Sequence, residues 1–341
     1  MNRLNLIQIV NQLTAKRITR IQIYSVNLIC LLFSLFTWGQ ERRGTEFSED
    51  LIDPSVFLIV LGTVQDAGSP HIACKKECCA ALFENHDYSR KVVSLGLVDQ
   101  INFSKYIFEA TPDLPTQLKK LKNRGMVDNN ETPDGIFLTH AHIGHYTGLM
   151  YLGKEAMNAE QVAVFAMPKM KGYLETNGPW DQLVANKNIT LKSLENQVKF
   201  KLNQDVSVTP LLVPHRDEYS ETVGYIIEGP NKKALFLPDI DKWEKWETDI
   251  IEMIKTVDYA FLDATFYDGE EINNRAISEI PHPFVIESME KFRWLSSEQK
   301  SKIIFIHFNH TNSILRPESD ASKTVIKKGF RIARKGDVYQ L

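Results

Sequence analysis

The chain has 341 residues, of which 40 are Lys or Arg and 43 are Asp or Glu, so its formal net charge is −3. This length is sufficient for one large domain or two small ones with a sizeable core. Acidic and basic residues nearly balance, and no long run of Lys and Arg follows residue 40. We therefore expect no nucleic-acid partner, and this charge balance carries no information about small-molecule substrates.

Residues 1–39 have the pattern of a secretory signal peptide. Lys16, Arg17 and Arg20 precede residues 21–38, which carry no charge, and small residues stand near the end of that stretch. A basic start, an apolar centre and a small-residue exit are typical of an exported protein. The alternative is an uncleaved membrane anchor, because the uncharged stretch is about as long as a bilayer crossing requires. Either way, we predict a periplasmic or secreted protein that meets a membrane only through this segment.

The remaining chain predicts a linker and one domain. Residues 40–53 are polar, and no Gly- or Pro-rich break divides residues 54–341. Short apolar runs predict strands at 56–63, 92–98, 106–110, 135–139, 162–167, 206–213, 222–228, 234–239, 259–264, 303–308 and 329–333. Helical patterns lie at 114–124, 145–157, 168–176, 241–256 and 283–293. This order favours mixed sheets covered by helices over a doubly wound parallel sheet.

Three cysteines lie close together after the first predicted strand, in "HIACKKECCA". Cys74, Cys78 and Cys79 are an odd number of thiols, so a simple disulfide framework leaves one unpaired. With His71 as fourth ligand they match the tetrahedral N/S coordination of a structural zinc site. One disulfide plus a buried thiol is the alternative.

A cluster of histidines follows the strand predicted at 135–139. The segment "FLTHAHIGHYTGL" places His140, His142 and His145 within six positions. One further metal-binding side chain follows or closes each of three later predicted strands: His215, Asp239 and His307. Strands that end at one edge of a sheet deliver such side chains to a shared cleft. Imidazole nitrogens and a carboxylate are ligands that zinc accepts, so the sequence predicts a metal site.

The segment "THAHIGH" resembles the HxHxDH motif of the metallo-β-lactamase superfamily, and the later His, Asp and His follow in that family's order. More narrowly, "LGTVQDAGSPHIACKKECC" and "FIHFNHTNSIL" resemble pyrroloquinoline-quinone biosynthesis protein B and its relatives. "FLDATFYD", followed by "PHPF" and "IHF", is similar to the tRNase Z branch. The resemblance implies an α+β fold, the αββα sandwich of two mixed β-sheets flanked by helices, and usually a zinc-dependent hydrolase.

The resemblance implies two sets of metal ligands. The first is His140, His142 and His215, and the second is His145, Asp239 and His307, with Asp239 shared and therefore also catalytic. Gly144 stands where the motif has an aspartate, so one metal, a carboxylate from elsewhere or metal binding without hydrolysis are all compatible with this sequence. Asp66 is the candidate for a substitute ligand or a substrate contact, and His310 is the alternative to His307.

A second pair of residues is a candidate for proton transfer. Asp263 follows a predicted strand and His282 lies in a loop, and the tRNase Z resemblance implies an acidic residue and a histidine in similar places. A carboxylate that orients a histidine can form a general acid for the leaving group. Glu109 lies where the family often has an outer-shell carboxylate, so it is a candidate for orienting a histidine ligand.

These observations predict an exported hydrolase with one or two zinc ions at its active site, and one further structural ion where the cysteines bind metal and do not form a disulfide. Metal-activated water would attack a small ester, lactone or phosphodiester. The first alternative is an enzyme of redox-cofactor biosynthesis similar to pyrroloquinoline-quinone biosynthesis protein B, which would favour iron. The second is a metal-binding protein without turnover.

Overall fold

The structure, a computed structural model, describes residues 55–125, 130–272 and 276–341. The predicted signal peptide or membrane anchor at 1–39 and the linker at 40–53 lie outside these ranges. No helix within them is long and apolar enough to cross a membrane.

The predicted apolar runs form most of the strands. Fourteen strands occur in the described residues: β1 Val56–Gly62, β2 Ser94–Asp99, β3 Ser104–Phe108, β4 Gly135–Phe137, β5 Val162–Ala166, β6 Ile189–Ser193, β7 Phe200–Lys201, β8 Ser207–Leu212, β9 Val223–Glu228, β10 Lys233–Leu237, β11 Tyr259–Asp263, β12 Ile303–Ile306, β13 Arg331–Ile332 and β14 Val338–Gln340. They form two seven-stranded sheets, ordered β14-β1-β2-β3-β4-β5-β6 and β13-β12-β11-β10-β9-β8-β7.

Both sheets are mixed in the same way. In the first, β14, β1, β2 and β3 pair antiparallel, and β3 to β6 pair parallel. In the second, β7 to β10 pair antiparallel, and β10 to β13 pair parallel. Antiparallel neighbours need only short turns, whereas each parallel step needs a crossover, which accounts for the helices between the later strands.

Alternating residues of β1 show how the layers pack. Leu58 and Val60 join a core cluster that contains side chains of both sheets, including Phe137 and Phe236. Phe57, Ile59 and Leu61 point the other way, into a cluster with apolar residues of the first sheet's helices. This period of two is what a strand covered on both faces requires. Each fully buried Leu or Phe side chain contributes about 1.5–3 kcal/mol to stability.

The described residues contain nine α-helices, and most of them cover the outer face of a sheet. They are α1 Glu77–Ala80, α2 Leu114–Gly125, α3 Ile143–Tyr146, α4 Pro168–Thr176, α5 Trp180–Ala185, α6 Ile250–Lys255, α7 Val285–Lys291, α8 Ser297–Ser301 and α9 Asp320–Lys327. Residues of α2, α4 and α5 pack on the first sheet, and residues of α6, α7 and α9 pack on the second. The prediction of an αββα sandwich is confirmed.

Two predicted helices are shorter than the sequence pattern indicates. The prediction at 145–157 yields only the single turn of α3, followed by a 3₁₀ helix at Thr147–Leu152. A Cβ on Gly148 would lie 2.0 Å from the backbone oxygen of Thr111, so this segment packs directly on another backbone. The prediction at 241–256 yields a 3₁₀ turn at Trp243–Lys245 and then α6, whose first turn is capped by the Asp249 side chain.

The pairing directions bring seven strand ends together. In the first sheet β1, β3 and β4 run the same way, and in the second sheet β8, β10, β11 and β12 do. The predicted metal-binding residues follow the carboxyl ends of these strands, so both sheets deliver side chains to one edge of the sandwich.

Candidate metal centre

The first set of ligand atoms comes from three loops. His140 and His142 follow β4, His215 follows β8 and Asp239 follows β10, and one nitrogen or oxygen of each lies within 4.8 Å of the others. Asp239 Oδ2 is 3.3 Å from both His140 Nε2 and His215 Nε2. His142 is the extended residue before α3 (φ −96°, ψ 146°), and its Nδ1 is 4.0 Å from the same oxygen.

The second set lies beside the first and shares Asp239. Its other members are Asp66, His145 and His307, again with one ligand atom each within 4.8 Å of the others. Asp66 Oδ1 lies 2.8 Å from His145 Nε2 and 3.4 Å from His307 Nε2. Asp239 Oδ2 is 3.9 Å from His145 Nε2. The structure therefore brings together all six residues that the sequence assigns to two metal sets, and Asp66, the candidate for a substitute ligand, lies in the second.

Asp263 and His282 form a buried pair next to these ligands. His282 Nδ1 is 2.8 Å from Asp263 Oδ2 and 3.1 Å from Asp239 Oδ1. The other oxygen of Asp263 accepts hydrogen bonds from the backbone N–H and the hydroxyl of Thr265. The carboxylate is thus fixed from one side while it faces the imidazole on the other.

The far nitrogens of the histidines also have partners. Glu109 Oε1 lies 3.2 Å from His145 Nδ1 and accepts a 2.6 Å hydrogen bond from the Thr139 hydroxyl. Asp241 Oδ1 lies 3.2 Å from His215 Nδ1. Such partners fix the ring orientation and tautomer of a metal-binding histidine. Glu109 is therefore placed to orient a histidine, and Asp241 contacts His215 from outside the ligand sets.

Two of these residues have a backbone conformation that most residues avoid. Glu109 has φ 78° and His307 has φ 68°, and neither is glycine. Left-handed conformations of such residues cost free energy and are concentrated at functional sites. Both residues follow the last residue of a strand, so the strain redirects their side chains into the cleft.

Opposed charges shift the pKa values of the buried groups in opposite directions. Burial alone would raise the pKa of the Asp239 carboxyl, but His282, His215 and His307 together hold it well below its usual value. Burial alone would lower the pKa of His215, but Asp239 and Asp241 raise it to about 9. Asp66 behaves like Asp239, because the charge and hydrogen bond of His145 outweigh the burial that would raise its pKa. The site is therefore built to hold positive charge between carboxylates.

The donor atoms fit a transition-metal ion. His215 Nε2 and Asp239 Oδ1 are buried and make no hydrogen bond. Buried polar atoms are nearly always hydrogen-bonded, so two such atoms facing one cleft indicate that another ligand completes them. Imidazole nitrogen and carboxylate oxygen are the ligands of zinc sites that retain an open position, and iron accepts them too.

The sequence model described as "Beta-lactamase superfamily domain" matches residues 105–308, which include most of these ligands. The chain belongs to the metallo-β-lactamase superfamily. The family resemblance of the histidine motif is therefore confirmed.

Several known proteins are similar to this chain over most of its length. The "Coenzyme PQQ synthesis protein B" of Methylococcus capsulatus is 22% identical over 307 residues, covering 81% of this chain and 97% of that protein. Its counterpart in Gluconobacter oxydans is 23% identical over 308 residues, covering 83% and 98%. The Zn²⁺-bound PqqB from Methylobacterium extorquens has a TM-score of 0.68 at 20% identity, covering 84% of this chain and 100% of that one. A diphosphatase from the PhnP family has a TM-score of 0.56 at 18% identity, covering 83% and 96%. At these identities the structural matches show a shared fold.

A second cluster of ligand atoms lies outside the histidine-rich cleft of this superfamily member. Cys74, Cys78, Cys79 and His310 each offer one atom within 4.8 Å of the others. The three thiols are free, so the alternative of a disulfide is not what the structure contains. Burial, His71 and Lys76 lower the pKa of His310 to about 4, which keeps its imidazole neutral and able to bind a metal at neutral pH.

The prediction of His71 as the fourth ligand differs from this arrangement. The His71 ring stacks on that of His310 at 4.3 Å, and its Nδ1 lies 2.8 Å from the Ile72 backbone oxygen. His310, proposed from the sequence as an alternative to His307, instead belongs with the cysteines. Sequence reasoning also missed Thr139 and Thr265, whose hydroxyls lie 2.8 Å from His140 Nδ1 and 2.9 Å from His307 Nδ1. Both lie just beyond strand ends, the position that pointed to the ligands themselves.

Proposed function

We propose that this chain is a metal-dependent enzyme that hydrolyses a small ester, lactone or phosphodiester. The observation that carries the proposal is a pair of four-residue ligand sets that share Asp239 beside the Asp263–His282 pair. Bound metal ions would lower the pKa of water to about 7 and polarise the substrate oxygen. Either one or two ions fit this arrangement.

Different residues would bind the metal ions and orient the histidine rings. His140, His142 and His215 would hold one ion, and His145, Asp239 and His307 the other, with Asp239 near both. Glu109 and Asp241 would keep the rings of His145 and His215 aimed inward. Because these partners contact the far nitrogens, the inward nitrogens stay available as ligands.

His282 is suited to donate a proton to the leaving group. Its Nδ1 faces Asp263 and Asp239, and burial alone would lower its pKa, but the two carboxylates raise it well above the usual value. A protonated imidazole held by a carboxylate is an effective general acid. Its opposite nitrogen is the atom that would face a substrate.

Redox-cofactor biosynthesis is the second candidate function. The comparisons favour it more than hydrolysis, because the curated relatives reported above are described as coenzyme PQQ synthesis proteins and match over nearly their whole length. This candidate would require a redox metal, so we would expect iron in place of zinc. Binding without turnover would be the conclusion if neither chemistry is found.

The cysteine cluster supports a structural zinc ion. Three thiols and one imidazole would close a tetrahedral site and leave no position for substrate. We also propose that residues 1–39 direct export and that no nucleic acid is bound. The prediction of export is tested by fractionation of cells that express either the full chain or a form without residues 1–39. If neither form leaves the cytoplasm, the prediction is wrong.

The decisive experiment combines metal content with turnover. The full chain is purified, its metals are measured by elemental mass spectrometry, and release of 4-nitrophenol from bis(4-nitrophenyl) phosphate is followed. We expect zinc, and turnover that disappears with a chelator and in His142→Ala but persists in His86→Ala, an exposed histidine. Iron without hydrolysis would favour the second candidate, and no metal uptake would overturn both.

A further inference from the structure

The second ligand set obtains its extra carboxylate from an unusual place in the chain. Position 144, between His142 and His145, is a buried glycine at the start of α3, whereas the motif quoted above has an aspartate there. Asp66 lies 78 positions earlier, in the loop after β1, and it is the carboxylate that meets His145 and His307.

The geometry couples these two positions. A Cβ added to Gly144 would lie 2.3 Å from the Cα atom, 2.8 Å from the Cβ atom and 2.9 Å from the Cγ atom of Asp66. The closest contact is with backbone, which a rotamer change cannot relieve. A side chain at position 144 would therefore displace the loop backbone at position 66, and with it the Asp66 carboxylate.

The loop that carries Asp66 is held in place by the segment that carries His307. The Gln65 N–H donates a 2.8 Å hydrogen bond to the Phe308 backbone oxygen, and the Phe308 N–H donates one of 2.7 Å to Thr63. Val64 and Phe308 also form a parallel bridge. These bonds hold the backbone just before Asp66 against the residue that follows His307, so the approach of Asp66 to His307 is part of the fold.

We propose that Asp66 is the carboxylate ligand of the second metal set and that Gly144 is glycine in order to admit it. In this chain the carboxylate would come from the loop after β1 and not from the start of α3. This inference rests on the proposed function only in requiring that the cleft binds metal. It adds which loop completes the second set and which position must stay without a side chain.

Substitutions at positions 66 and 144 test the proposal. The variants are Asp66→Ala, Asp66→Asn and Gly144→Ala, and Asp205→Ala removes a carboxylate from an exposed turn as a control. Zinc per full chain is measured by elemental mass spectrometry, and affinity by competition with a chromophoric chelator. Circular dichroism and the melting temperature establish that each variant folds.

We expect both Asp66 single variants to lose one zinc per chain, or to bind it at least about tenfold more weakly, while Asp205→Ala does not. Gly144→Ala should also lose it, because its Cβ displaces the loop that carries Asp66. Asp66→Asn serves if Asp66→Ala does not fold, because it keeps the side-chain shape.

Two results would overturn the assignment. One is wild-type zinc content and affinity in folded Asp66→Ala or Asp66→Asn, and the other is wild-type zinc content and affinity in folded Gly144→Ala. The proposed function fails separately. If the variants lose zinc as expected but the wild-type protein shows no hydrolysis, Asp66 remains assigned as a ligand and the proposal of hydrolysis alone is overturned.

Discussion

The histidine-rich cleft and the cysteine cluster are both groups of metal-binding side chains, but they are built differently. The cleft combines imidazoles with carboxylates, and Glu109, Asp241, Thr139 and Thr265 lie against its histidines. The cysteine cluster contains no carboxylate, and only Cys79 of its members is fully buried. Outer partners that tune ligands are typical of a reacting centre, whereas a closed set of thiols and one imidazole is typical of a structural one.

The difference also concerns how each group is assembled. The cleft collects its residues from the carboxyl ends of strands in both sheets, so the whole sandwich must form before the ligands meet. The cysteine cluster takes three of its four members from residues 74–79 and only His310 from far along the chain. A change in the cleft should therefore alter chemistry, and a change in the cysteine cluster should alter stability.

The largest expected effect is on turnover, from the proton donor of the cleft. His282→Ala should lower turnover of bis(4-nitrophenyl) phosphate by about 10²–10⁴-fold, because the leaving group would lose its general acid. Initial rates at saturating substrate measure this, with metal content determined in parallel. The exposed His86 supplies the control, His86→Ala. Turnover within twofold of wild type in His282→Ala would remove that residue from the mechanism.

The next largest effect is on metal affinity, from a carboxylate that contacts the far nitrogen of a histidine ligand. Glu109→Gln keeps the side-chain shape and the contact with Thr139 but removes the charge that faces His145. Loss of such a partner typically costs 10–100-fold in metal affinity, and we expect a decrease of about this size. Titration of the apoprotein with zinc against a chromophoric chelator measures it, with the exposed Glu160→Gln as the control. Unchanged affinity would mean that Glu109 serves only to hold Thr139.

The cysteine cluster should respond in stability instead. Cys78→Ala and His310→Ala should each lose one ion and lower Tm by on the order of 10 °C, because the ion joins distant segments of the folded chain. His71→Ala should keep the ion, since the ring of His71 stacks on His310 and is not among the ligand atoms. Differential scanning fluorimetry with elemental analysis distinguishes the three variants. Loss of the ion in His71→Ala, with retention in His310→Ala, would restore the ligand set expected from the sequence.

The smallest effect concerns a carboxyl group next to the segment that follows β12. Glu271 accepts hydrogen bonds from Thr311 and from the Tyr267 N–H, and burial raises its pKa to about 7 although these bonds oppose the shift. The folded state thus binds the proton more tightly than the unfolded state, so this contribution to stability is complete below about pH 4.5 and is lost as pH rises through 7.

Glu271→Gln should therefore flatten the decline in stability between pH 5 and pH 8, by at most about 3 kcal/mol. Unfolding by urea at several pH values measures the difference between variant and wild type, which cancels the titration of the other groups. Parallel curves for the two proteins would show that Glu271 is ionised in both states across this range.

Much of the fold was visible in the sequence because its strands are buried on both faces and read as continuous apolar runs. The strands that escaped prediction are of another kind. β7 and β14 are only two and three residues long, and the last two residues of β6 are exposed. None of the three therefore produces a clear apolar run. The start of α6 did leave a signal, because Asp249 is a typical N-cap residue before an apolar stretch.

The cleft was predictable from one rule, that polar residues just past strand ends meet. The same rule did not indicate that His310, and not His71, would lie with the cysteines. His71 is close to the cysteines in sequence, but the pairing of Val64 with Phe308 brings the segment after β12 against the loop after β1. That contact joins residues more than 240 positions apart, and no local pattern encodes it.

The segment after β12 has a consequence for how the protein matures. His307 and His310 stand three residues apart, yet one belongs to the cleft and the other to the cysteine cluster. An ion captured first by the cysteines would immobilise this turn and with it the left-handed backbone of His307. We therefore expect metal acquisition during biogenesis to be ordered, with the thiol-bound ion acting as a template for the ions that perform chemistry.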